Sequence, residues 1–114
     1  MNPLEVLKAF DEIVVGIDLV EFEEGEHVSM WKIKASIFDS SILWIREVYR
    51  KNELMAYSYY WLREDDSLII GWDNAPHHQD IATFPHHKHV GEEIESSDET
   101  DLEQVLKFID NYTD

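Results

Sequence analysis

The stretch ILWIREVYRKNELMAYSYYWL, residues 42–62, is two runs of branched and aromatic residues interrupted once, at Arg50-Lys51-Asn52-Glu53. Branched and aromatic side chains fit a pleated, half-buried surface, and a two-residue break at Lys51-Asn52 is the length of a tight hairpin. Ile42 to Arg50 and Leu54 to Arg63 are therefore expected to pair as antiparallel strands. Upstream, Val28 to Ile37 forms another strand closed by Asp39-Ser40-Ser41. Before it Val15, Ile17 and Leu19 alternate with Gly16 and Asp18 up to a turn at Glu23-Glu24-Gly25-Glu26. Downstream, Glu64-Asp65-Asp66-Ser67 turns the chain into Leu68 to Trp72. This predicts a five-strand meander.

Both ends change period. Asn2-Pro3-Leu4-Glu5 combines an N-cap residue, a first-turn proline and an acid, followed by Leu4, Leu7 and Phe10 at helical spacing, so a short helix is expected to about Glu12. Thr100 and Glu103 have capping-box spacing, and Leu102, Val105, Leu106 and Ile109 form one apolar stripe. The expected class is α+β: an antiparallel five-strand meander sheet with N- and C-terminal helices packed on one face, in a single domain spanning 1–114. The acidic run from Glu92 to Glu103 reads as a solvated lead-in to the last helix.

The chain has 114 residues, no cysteine, and nine basic against 25 acidic residues, for a formal net charge of −16. Lack of cysteine removes disulfides, iron–sulfur clusters, thiolate zinc sites and cysteine nucleophiles together. No apolar run approaches the roughly 18 residues that span a bilayer, and the first residues lack a signal-peptide layout, so a cytoplasmic protein without a membrane partner is expected. The charge opposes polyanions at long range. It reverses locally, because residues 27–63 hold six basic and three acidic side chains.

Alternation assigns faces. Lys32, Lys34, Trp44, Arg46, Arg50, Tyr57, Tyr59, Trp61 and Arg63 fall on one side; Trp31, Ile33, Leu43, Ile45, Leu54, Ala56 and Leu62 fall on the other and make the better core. Cations interleaved with rings on an open sheet suit single-stranded nucleic acid. The simpler reading is a half-exposed sheet stabilised by cross-strand aromatics and arginine stems.

Five of the six histidines lie between His77 and His89, in WDNAPHHQDIATFPHHKHVG, residues 72–91. His87-Lys88-His89 is an H-x-H pair, which on an extended strand puts both imidazoles on the same side. Pro76 and Pro85 restrict the residues before them to extended conformations. Two imidazoles can act as base and acid near neutral pH, so RNA cleavage by internal 2′-hydroxyl attack would use His87 and His89 as the catalytic pair. Asp73 and His77 would orient them, while Lys88, Arg50, Arg63 and Lys34 grip phosphate and Tyr59 and Trp61 contact bases. No cofactor is needed for this. The alternative is a divalent transition metal such as zinc held by His78, His86, His87 and His89, although no H-E-x-x-H or comparable spacing is present. Asp73 and Asn74 equally fit a turn that ends a strand, with Trp72 in the core.

The string YSYYWLREDDSLIIGWDNAPHHQDIATFPHHKHVGEE, residues 57–93, resembles the signature of the TumE family of toxins, most specifically in W-D-N-A-P-H-H and F-P-H-H-K-H-V. The resemblance extends more loosely to TDLEQVLKFI. It implies a growth-inhibiting toxin of a type II toxin–antitoxin module, partnered by a helix-turn-helix antitoxin. Endoribonuclease activity is an expectation by analogy with other small toxins. A different class is a non-catalytic protein that docks the antitoxin through the histidine segment and the aromatic face, and an open sheet edge allows a homodimer. The acidity fits a protein adapted to high salt. Its unfolding temperature is then expected to rise steeply with added KCl, and a melt unresponsive to KCl would remove that reading.

Overall fold

The computed structural model describes residues 2–112. Among these residues the elements are α1 (Pro3–Ala9), β1 (Val14–Glu24), β2 (Val28–Ile37), β3 (Ile42–Arg50), β4 (Glu53–Leu62), β5 (Leu68–Asp73), β6 (His87–Val90), β7 (Glu93–Ser96) and α2 (Leu102–Tyr112). The strands lie side by side in chain order in one antiparallel sheet. The α+β class and the meander are as expected, but the sheet has seven strands and not five. The additional hairpin, β6–β7, turns at Gly91, whose φ of 60° favours glycine. Its strands are four residues each and β7 is Glu-Ile-Glu-Ser, so too little alternation and too much charge hid it; charged side chains are typical of a protected sheet edge. No helix among the described residues is long and apolar enough to cross a membrane.

Helix α1 starts where its cap predicts, with the Asn2 side chain accepting from Glu5 N at 3.0 Å, but ends at Ala9 and not near Glu12. In α2 the cap lies one residue later than the expected box: Asp101 accepts from Gln104 N at 2.9 Å, and the Gln104 carboxamide accepts from Thr100 N at 2.7 Å. The predicted stripe Leu102, Val105, Leu106 and Ile109 is fully buried. It packs on one face of the sheet with Leu7, Ile33, Ile37, Leu43 and Ile45, and Phe108 meets Trp72 edge-on at 5.5 Å.

The β3–β4 hairpin turns at Lys51 and Asn52, both with positive φ (52° and 65°), as a two-residue hairpin of matching twist requires. The pairing then slips: Tyr49 faces Leu54 and Val48 faces Ala56, which leaves Met55 as an extra residue in β4. One inserted residue reverses the parity of everything after it. Tyr57, Tyr59 and Trp61 therefore point into the core, at 3%, 0% and 1% exposure, opposite Ile45 and Leu43. The assignment of these three side chains to the open face, and of Ala56 and Leu62 to the core, fails for this reason. Tyr59 and Trp61 are core residues.

Their polar tips are satisfied. Trp61 Nε1 donates to Ser41 Oγ at 2.8 Å, and Trp72 Nε1 donates to Glu99 Oε1 at 3.1 Å. Tyr59 Oη donates to Glu47 Oε2 at 2.5 Å and Tyr49 Oη donates to Glu47 Oε1 at 2.6 Å. Glu47 is 2% exposed. Burial lifts its carboxyl above the ordinary value of 4.5, the two tyrosine hydroxyls pull it back, and Asp101 adds a smaller upward push. A carboxyl that holds its proton more tightly folded than unfolded contributes stability that is complete below that ordinary value and is lost as pH rises through the raised one. Relative to wild type, Glu47→Gln should therefore gain stability as pH rises from 4 to 8 in urea titrations. Tyr59→Phe should lose about 1–3 kcal/mol near neutral pH, because a buried carboxylate oxygen loses its donor.

Candidate functional site

Residues directly opposite in neighbouring strands share a face, so the register lays two rows across the side of the sheet that the helices leave open. One row is Lys34, Trp44, Tyr60, Gly71 and His89; the next is Lys32, Arg46, Ser58, Asp73 and His87. Cationic side chains stand at the β2–β3 end of the rows and imidazoles at the β5–β6 end.

Asp73 organises the imidazole end. Its Oδ1 accepts from His87 Nε2 at 2.9 Å and from Ala75 N at 3.0 Å; its Oδ2 accepts from His89 Nε2 at 3.2 Å and lies 3.5 Å from Tyr60 Oη. His87 Nδ1 lies 3.0 Å from the Pro85 carbonyl. Both nitrogens of the 2%-exposed His87 ring thus face oxygen acceptors. His78 folds over the pair, its ring centroid 4.8 Å from His87 and 6.1 Å from His89. His87 and His89 are themselves 5.0 Å apart and nearly perpendicular. Burial raises the Tyr60 hydroxyl, and the Asp73 charge raises it further.

The segment between β5 and β6 is held by its own polar groups. Asn74 Oδ1 accepts from Tyr57 N at 2.9 Å and Asn74 Nδ2 donates to Met55 O at 3.1 Å, continuing the sheet beside the bulge. Thr83 Oγ1 donates to His86 O at 2.6 Å and accepts from Ser97 N at 2.9 Å. The Phe84–Pro85 bond is cis. The turn reading of Asp73 and Asn74 and the placement of Trp72 in the core both hold; Asp73 additionally serves the histidines.

Arg46, Ser58, Tyr60, Asp73, His77, His78, His87 and His89 line an open groove of about 330 Å³. A larger hollow, about 450 Å³, lies by Phe22, Trp31 and Tyr49 but offers no imidazole or cation. The chemistry therefore belongs to the smaller one.

Of the residues expected to act together, the structure gathers Asp73, His87 and His89, with His77 on the groove wall. Lys34 is on the same face, its Nζ 5.6 Å from the Trp44 ring. Others are elsewhere. Lys88 alternates onto the helix side, where it pairs with Glu99 at 3.2 Å and sits 5.0 Å from the Phe108 ring. His86 also lies on that side, its Nδ1 2.9 Å from Tyr57 Oη. Arg63 is tied into the β4–β5 turn through Leu68 O at 3.0 Å, and Arg50 ends β3 at the hairpin, opposite Val28. Tyr60 is the residue that sequence reasoning missed; Arg46 was read onto the cationic face but not among the residues that grip phosphate. Gly71 was the available signal for Tyr60, since a glycine inside a strand marks a close approach, and a Cβ there would lie 2.4 Å from Tyr60 Cδ1.

The donor atoms of Asp73, His87 and His89 lie within 4.8 Å of one another. Two imidazole nitrogens and a carboxylate oxygen suit a transition-metal cation, and the Pro85 carbonyl behind His87 is the support such a ligand usually has. The set for a metal is thus Asp73, His87 and His89, and not the four histidines, because His86 faces away. Removing the carboxylate, as in Asp73→Ala, should cost about 1–3 kcal/mol in urea unfolding by leaving the buried His87 nitrogen without an acceptor. An unchanged midpoint would show that Asp73 does not hold the ring.

A family model described as Toxin TumE matches residues 3–113. No curated protein and no solved structure matches the chain.

Proposed function

The chain belongs to the Toxin TumE family, and we propose that it is a cytoplasmic toxin that cleaves RNA by imidazole acid/base chemistry in the Asp73–His89 groove and is neutralised by a helix-turn-helix antitoxin. The observation that carries this reading is that one buried carboxylate grips two imidazoles in a groove also lined by Arg46, a cation with no ion pair among the described residues.

The residues divide by access. His89 is 29% exposed and uses Nε2 on Asp73, while its Nδ1 makes no hydrogen bond among the described residues. A carboxylate that holds one ring nitrogen leaves the other free to take a proton, the arrangement familiar from serine hydrolases. His78 makes no hydrogen bond through its ring among the described residues and is free to give one. His87 has both nitrogens engaged, so we assign it to positioning and not to proton transfer. In the proposed step His89 takes the 2′-hydroxyl proton and O2′ bonds to phosphorus. The P–O5′ bond breaks, and His78 gives its proton to O5′. The products carry a 2′,3′-cyclic phosphate and a 5′-hydroxyl. Arg46, which has no ion pair among the described residues, stabilises the charge on the non-bridging oxygens.

Purified protein incubated with labelled RNA should yield cyclic-phosphate ends, and His89→Ala should slow cleavage by roughly 10²–10⁴-fold, the usual worth of a positioned acid or base. His77→Ala, which removes a wall side chain with no hydrogen bond among the described residues, should change the rate only a few-fold. EDTA should leave cleavage intact. Cleavage abolished by EDTA and restored by zinc would instead make Asp73, His87 and His89 a metal centre and overturn the acid/base assignment. Full toxicity in a folded His89→Ala, His78→Ala double variant would overturn it as well.

A further inference from the structure

We infer that Trp44 and Tyr60 form a binding subsite for one unpaired nucleobase, next to the histidine groove, so that the substrate of the proposed cleavage is single-stranded RNA entering from the β2–β3 side. This rests on the RNA reading above and extends it.

The subsite is a slot of about 190 Å³ bounded by Lys32, Trp44, Ile45, Arg46, Ser58 and Tyr60. It is smaller than the pockets that enclose whole drug-sized ligands, which start near 300 Å³, and suits one planar ring. Arg46, Ser58 and Tyr60 border both this slot and the histidine groove, so the two are adjoining parts of one track. Trp44 and Tyr60 are directly opposite in the register. Tyr60 lies down over Gly71, and any side chain at 71 would have to displace its ring.

Charge selects the occupant. In a chain of net charge −16, Lys32, Lys34 and Arg46 make no ion pair among the described residues, and both lysine Nζ atoms lie 5.6 Å from the Trp44 ring. Three such cations around the half-buried Trp44 ring and the exposed Tyr60 ring match a strand whose bases have π faces and whose backbone is anionic. A base held in a duplex is already stacked and has no free face for Trp44, so the slot discriminates by strandedness.

The test is binding, separated from cleavage by a 2′-deoxy oligonucleotide, which lacks the attacking hydroxyl. Of the four tryptophans, Trp61 and Trp72 are buried and Trp31 packs on Phe22 at the core side of the sheet, so quenching on addition of a single-stranded deoxy hexamer should come mainly from Trp44. Trp44→Leu should abolish the quench and weaken binding roughly tenfold or more, the usual worth of one stacked base. Lys34→Glu with Arg46→Glu, two changes outside the core, should weaken it at least as much and flatten its dependence on salt. A duplex of the same sequence should bind much less tightly. Equal affinity for duplex and single strand, or unchanged affinity in both folded variants, would overturn the subsite while leaving the acid/base assignment untouched. Lost hexamer binding in Trp44→Leu beside full RNA cleavage by His89→Ala would do the reverse. If the variants lose only antitoxin binding and keep the hexamer, the face is a protein interface and the inference fails.

Discussion

The side chain of Asn74 holds the one irregularity on which the rest of this sheet depends. By accepting from Tyr57 N and donating to Met55 O, it occupies the place of a neighbouring strand beside the bulge in β4. Without the extra residue at Met55, alternation would send Tyr57, Tyr59 and Trp61 outward and bring Ser58 and Tyr60 inward. With it, three large rings fill the core under α2, and the opposite face is left to Tyr60 and to the row that ends in Asp73 and His87. Core and groove are two sides of the same shift in phase, and the residue that pins it directly follows the carboxylate that organises the histidines.

The acidity of the chain has a different meaning once charges are placed. On the helix side Lys88 is bound to Glu99 and Lys107 to Glu103. On the open face Lys32, Lys34 and Arg46 have no ion pair among the described residues, whereas the carboxylate that matters there, Asp73, is shared among His87, His89 and a backbone amide. A polyanion approaching this protein would be repelled by most of its surface and accepted by one sector. Such a distribution favours orientation over raw affinity.

Helix starts, apolar stripes and the first five strands could be read from the sequence because each rests on local rules: a cap, a period, a turn dipeptide. The pairing of His87 with His89 on one side was readable for the same reason; the same alternation carries Lys88 to the other side, against the expectation that it grips phosphate. What escaped reading was non-local or single-residue. The bulge at Met55 depends on a side chain 19 positions away, at Asn74. The β6–β7 hairpin is too short to show a period. That Asp73 would orient the imidazoles was expected from its place after a strand, but how it reaches both was not, since that needed the register of β5 against β6. His86 beside His87, and Arg50 in the same strand as Arg46, looked equivalent on paper; the first differs by strand parity and the second by distance along β3.

The two borders of the sheet are unlike. β7 is four residues with glutamates at 93 and 95, whereas β1 runs for eleven residues and exposes Val15, Ile17, Val20 and Phe22. A sheet that can be extended along only one border cannot propagate into a fibre: joining two such borders exhausts both. The asymmetry therefore caps any assembly built by strand addition at a single added layer, and confers protection against runaway polymerisation without hiding the adhesive border itself.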